Sequence, residues 1–186
     1  YDCSFYHGGN PGTMGFDAFA KMAGFHSYVD LSKYPHFEND FDGKWGIFDE
    51  PFFQFYKSEL DLKKEPFFSA LFSLSSHHPY TIPDHHTGKF PKGDIAIHET
   101  IGYTDFALRK FFEKAKKSSW FENTTFIITA DHTFTATHKE YQNSNGLYEI
   151  PLIFYKPSDT LSKSVTKICQ QTDILPSIID ELNIST

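Results

Sequence analysis

Arginine is all but missing from this sequence: Arg109 stands alone among 17 basic residues. The planar guanidinium fork is the usual bidentate clamp for oxyanions, so the chain has one such clamp at most. Cysteine is nearly as scarce. Cys3 and Cys169 lie at opposite ends and make neither a disulfide framework nor a zinc ribbon; they pair only if the ends meet. No stretch approaches the ~20 apolar residues of a membrane-spanning helix. An excess of positive charge is also lacking: the net charge of -7 and a pI near 5.8 exclude an electrostatic nucleic-acid binder. The chain opens Tyr1-Asp2-Cys3-Ser4, with no initiator Met and no basic leader. It is therefore expected to be a processed or cut piece of a longer protein.

What is present is ordinary globular material with unusual rings. At 186 residues, 39% hydrophobic and 22% charged, the chain has room for one domain with a real core. Aromatics reach 18%, with 21 Phe and 10 Tyr, so that core is expected to rest on rings more than on aliphatic packing.

The pattern along the chain predicts alternating strands and helices. Tyr1 to His7 reads as the end of a strand, followed by the loop Gly8-Gly9-Asn10-Pro11-Gly12. Thr13 is expected to cap a helix that carries Phe16, Phe19, Ala20 and Ala23 and stops at Gly24. Residues 26–48 read as irregular surface, and Pro51 to Leu60 as a helix lying on the core. The apolar run from Pro66 to Leu74 predicts a buried strand that delivers Ser75-Ser76-His77-His78-Pro79 into a loop. Ile101, Phe106 (or Ala107), Leu108, Phe111 and Phe112 recur near helical spacing between Ile95 and Lys117, with lysines crowding the end. Thr124 to Ala130 is the clearest strand, Ile150 to Tyr155 another, and Thr172 is expected to cap a final helix. The expected fold class is α/β, with a mostly parallel central sheet and helices on both faces.

Ligands in open α/β sheets gather at the carboxyl ends of the strands. Three such ends carry polar clusters: His7 with its glycines, Ser75 to His78, and Asp131-His132 with His138 shortly after. A carboxylate beside an imidazole offers two ligands to one divalent metal, too few for a closed structural zinc site. His77 has two readings, a loop histidine or an imidazole that meets an anionic oxygen or protonates a leaving group. His138 is either a loop histidine or a further ligand or anion contact. His85 and His86 read as solvated surface beside Asp84, Gly88 and Lys89. The glycine loop fits no phosphate-loop pattern, and no Gly-x-Ser-x-Gly elbow exists.

Taken in order, five segments resemble the sulfatase-like branch of the alkaline phosphatase superfamily, and within it the lipoteichoic acid synthase and phosphoglycerol transferase group. They are His7-Gly8-Gly9-Asn10 through Gly15-Phe16, Ser73 to Tyr80, Tyr103 to Leu108, Thr125 to His132, and Gln171 to Asp180. The resemblance implies that residues 1–186 are the C-terminal portion of such a catalytic domain, without the nucleophile-bearing part. It implies a membrane-anchored parent acting outside the cytoplasm on phospho- or sulfo-esters, including lipid headgroups, through a divalent cation (Mn2+, Mg2+, Zn2+ or Ca2+) and an upstream nucleophile. Asp131 and His132 would then be metal ligands and His77 would contact substrate; His138 is expected to stand in as the further anion contact that the family pattern does not itself place there. This piece alone is expected to be inactive. The transferases carry a Trp-Asn-Arg stretch where this chain reads Thr13-Met14-Gly15-Phe16-Asp17, and no Cys-x-Pro-x-Arg motif is present. A sulfatase, a phosphoethanolamine transferase, and a binding module that kept the fold without the chemistry are the alternatives.

Overall fold

The computed structural model describes residues 1–160 and 162–184. Strand β1 (Asp2–His7) is flanked by β2 (Ser27–Val29) and β3 (Phe67–Phe72), both parallel to it, in the order β2-β1-β3. A second, antiparallel pair joins β4 (Phe126–Thr129) to β5 (Leu152–Tyr155). The helices are α1 (Phe16–Met22), the single turn α2 (Phe37–Asp40), α3 (Asp49–Asp61), α4 (Ile97–Ala115) and α5 (Ile174–Glu181).

Alternation along β1 explains why helices cover both faces of the first sheet. Successive side chains of a strand point to opposite faces. Phe5 meets α1 through Phe16 and Phe19, with ring centroids 5.7 and 6.5 Å away. Tyr6 points the other way and packs edge-on against Tyr56 of α3 at 4.8 Å. Helix α3 is wedged between two clusters. Phe52 joins Tyr6, Val29, Leu31, Tyr34 and Ile47, whereas Phe53 and Leu60 join Ala107, Phe111 and Ala115 of α4 together with Trp120 and Phe121. The aromatic core expected from composition is therefore built, ring on ring, around α3 on one face of the sheet and against α1 on the other.

Several local expectations are corrected. Helix α1 is not capped by Thr13: a 3-10 turn over Thr13–Gly15 precedes it, and Met14 (φ 53°) and Gly15 (φ 71°) adopt left-handed backbone. The side chain of Thr13 makes no capping bond, so the helix starts at Phe16. Thr172 does not cap α5 either. Gln170 and Asp173 bond reciprocally as a capping box, the Gln170 amide donating to Asp173 Oδ2 at 2.8 Å. Residues 26–48 are less irregular than expected, since they contain β2 and α2. Along α4, Ile101 is exposed, and the buried stripe runs through Thr100, Tyr103, Ala107, Phe111 and Ala115.

Candidate active site

The carboxyl end of β3 is held to α3 and α4 by one buried carboxyl group. Asp49 begins α3 and is 1% exposed. Its Oδ1 accepts the backbone N–H of Leu74 at 2.9 Å and of Ser75 at 3.1 Å, and its Oδ2 accepts the Thr104 hydroxyl at 2.6 Å. The Asp49 N–H in turn donates to Ser75 Oγ at 3.0 Å. Burial pushes the Asp49 pKa up, and these donors oppose that rise. The loop leaving β3 is thereby fixed to the start of α3 and, through Thr104, to the middle of α4.

His77 leaves that loop exposed to solvent. Its Nδ1–H donates to the His78 carbonyl at 3.0 Å, and its ring meets Trp45 edge-on at 4.7 Å. Trp45 Nε1–H donates to the same His78 carbonyl at 2.6 Å. Nε2 of His77 has no hydrogen-bond partner among the described residues. Close backbone approach supports this loop: Ile47 N–H donates to the Gly8 carbonyl at 2.9 Å, and a Cβ on Gly46 would come within 2.1 Å of that same oxygen.

At the end of β1, His7 is fully buried between Phe16 and Phe72, and neither ring nitrogen has a partner. Burial lowers its pKa below the ordinary value of 6.5, which disfavours the charged ring. A Cβ on Gly9 would lie 2.6 Å from its Nε2, which is why the residue there is glycine.

Asp131 and His132 follow β4 after Ala130, each more than half exposed, with His132 Nε2 3.6 Å from Asp131 Oδ2. The His132 N–H donates to Asp131 Oδ1 at 2.8 Å, and His132 Nδ1–H donates to the Thr133 carbonyl at 3.1 Å. That second bond sets the tautomer, leaving Nε2 as a lone-pair donor beside the carboxylate; histidines that bind metals are oriented in this way. Gln171 Nε2 donates to the carbonyls of Ala130 and Asp131 at 3.2 and 2.9 Å, pinning the turn from 40 residues away. The pair fits a divalent cation as two members of a ligand set. No third His, Cys, Asp or Glu donor gathers with it among the described residues.

His138 is exposed and starts a 3-10 turn, its carbonyl accepting the Tyr141 N–H at 3.1 Å. Among the described residues, no hydrogen bond or ion pair joins His77 or His138 to Asp131 or His132.

The family model described as Sulfatase matches residues 1–184. The chain belongs to the sulfatase family. Lipoteichoic acid synthase 1 of Bacillus subtilis (strain 168) is 27% identical over 197 residues, which cover 96% of this chain and 30% of that protein. The chain thus spans under a third of this curated relative's length. Among solved structures, the lipoteichoic acid synthase LtaP from Listeria monocytogenes superimposes with a TM-score of 0.86 at 21% identity, over all of this chain and 50% of that one. A protein of the alkaline phosphatase superfamily from Vibrio parahaemolyticus superimposes with a TM-score of 0.71 at 30% identity, over 84% of this chain and 38% of that one. The α/β sulfatase-family fold with its parallel sheet is the one expected from the strand ends.

Two groups escaped the sequence reading. Asp49 looks like an ordinary first-turn acid two residues before Pro51, and nothing nearby reveals that its partners lie as far as 55 residues away. His86 was expected on the solvated surface and is instead 5% exposed, its Nε2 3.1 Å from Glu50 Oε2. Rings of Tyr103, Phe106 and Phe90 wall it in at 5.5, 5.1 and 5.7 Å, all from downstream segments.

Proposed function

We propose that this chain is the C-terminal portion of the catalytic domain of a phosphoglycerol-transferase-like member of the sulfatase family. In this reading the parent protein is membrane-anchored and acts outside the cytoplasm on phospho- or sulfo-esters such as lipid headgroups. The observation that supports it most directly is the Asp131–His132 pair at the end of β4, with its tautomer set by Thr133.

Asp131 and His132 Nε2 would bind a divalent cation, while Gln171 keeps the turn that carries them in place. Such a cation would supply positive charge to phosphoryl or sulfuryl oxygens and lower the pKa of a nucleophile. His77, braced by Trp45 and the His78 carbonyl, presents a free Nε2 that would meet an anionic oxygen or hand a proton to a leaving group. His138 would add a second contact to the anion. Trp45 and Asp49 touch no substrate in this scheme; they hold the His77 loop in register with the sheet.

An Mn2+ titration followed through the imidazole resonances by NMR tests the reading. His132 should broaden first, and Asp131→Ala should remove that response. His26 is the internal control, because it also lies near an acid (Asp2, 4.0 Å) but its Nδ1 is occupied by the Cys3 amide. Broadening of His132 no greater than that of His26 would overturn the metal assignment.

A further inference from the structure

Outside the strand ends, one group of side chains has the composition of a metal site. Glu50, His85 and His86 each offer one ligand atom, and these atoms lie within 4.8 Å of one another. The rings of His85 and His86 are 4.2 Å apart, and His86 Nε2 is 3.1 Å from the Glu50 carboxylate. A buried Glu–His hydrogen bond alone would account for one of these contacts. It does not account for His86 Nδ1, which is buried and has no hydrogen-bond partner, nor for a second imidazole beside the pair. Nδ1 and Nε2 of one imidazole diverge, so a cation shared with Glu50 would sit at Nε2, the nitrogen that faces its carboxylate, and it is the second imidazole, His85, that a single Glu–His hydrogen bond leaves without a role.

We propose that Glu50, His85 and His86 hold a divalent cation of the zinc class, independently of Asp131 and His132. Two imidazoles and one carboxylate suit a borderline cation, whereas Ca2+ and Mg2+ take shells of oxygen. Three protein ligands leave a fourth position open, as in zinc sites that keep an exchangeable water. Glu50 and His85 line a cleft of about 990 Å³, so the open position has access to solvent. Asp40, Asp42 and Asp84 line the same cleft and make its field favourable to a cation. The aromatic wall of Tyr103, Phe106 and Phe90 orients His86 from behind and keeps water off that side. Glu50 is fixed as well, because its backbone N–H donates to the Tyr103 hydroxyl at 3.1 Å.

The test uses the untagged 186-residue chain carrying Asp131→Ala, His132→Ala, Cys3→Ser and Cys169→Ser, so that neither the strand-end pair nor a thiol contributes. Calorimetry with Zn2+ alone should show one saturable equivalent, and Co2+ should give the visible absorption of a low-coordinate site. His85→Ala, at an exposed position, should weaken Zn2+ binding roughly tenfold or more without loss of the circular dichroism of the fold. Glu50→Gln should do the same and covers the case in which the histidine variant rearranges. Absence of a saturable equivalent in the four-substitution chain, or wild-type affinity in both His85→Ala and Glu50→Gln, would overturn the proposal. Neither result bears on Mn2+ at Asp131 and His132, so the two sites stand or fall separately.

Discussion

A neutral imidazole sealed inside a protein titrates differently from one in water, and His7 is sealed. Its pKa is lowered by burial, so between its folded value and the ordinary 6.5 the unfolded chain binds a proton that the folded chain refuses. The cost is absent above that window and grows as the pH falls through it. Stability to urea should therefore decline on acidification below about 6.5, and His7→Leu should flatten that part of the profile relative to the parent. A wild-type and variant difference that does not change with pH would show that His7 is not the group responsible. At this scale the sequence was an uneven guide. Asp131-His132 was visible because a strand with a strong β-branched run stops directly before it. The burial of His7 was hidden, because it depends on Phe16 and Phe72, contributed by two other elements. Likewise His86 lies in a Pro- and Gly-rich loop that reads as exposed until Tyr103 and Phe106 of α4 close over it.

Three elements meet at Asp49: α3, which it begins, the loop leaving β3, and α4. Replacing Asp49 with alanine leaves the N–H groups of Leu74 and Ser75 and the hydroxyl of Thr104 without their acceptor in a dry interior. Each unsatisfied buried donor costs on the order of 1–3 kcal/mol, with partial relief from water admitted to the gap. Asp49→Ala should accordingly lower the unfolding free energy by about 3 kcal/mol in urea titrations. An effect below about 1 kcal/mol would mean that the loop leaving β3 is held by other contacts. The long helices α3 and α4, and the strands β1, β4 and β5 with their apolar runs, were legible in the sequence to within a few residues. β2 was not: it has three residues, and its place is set by pairing with β1 rather than by any local pattern. The start of α1 was misplaced for a related reason, since a left-handed Met14 carries no signal in its own side chain.

At the scale of the whole molecule, the described residues form two sheets of unequal depth. β1 has a partner on each edge, and Ser4 and Tyr6 within it are 0% and 2% exposed. β4 and β5 pair only with each other, and Ile153, Phe154 and Tyr155 remain substantially exposed. Both β3 and β4 border an apolar groove of about 480 Å³ with Phe53, Leu108, Phe126 and Ile178 in its walls. The α/β class and the parallel arrangement were readable from the alternation of strands and helices. The antiparallel β4–β5 pair was not, because strand direction follows from the path of the intervening loop. The unequal depth of the two sheets has a kinetic consequence. Amide hydrogens leave a protected ladder only when it opens, and shallow pairs open more often than a strand bonded on both sides. In deuterium exchange, the amides of β1 should therefore be the slowest class and those of β4 and β5 a distinctly faster one. Asp131 and His132 sit at the end of the faster strand, so a cation seated on them should slow exchange at Thr129 and Ala130 while the β1 amides keep their tempo.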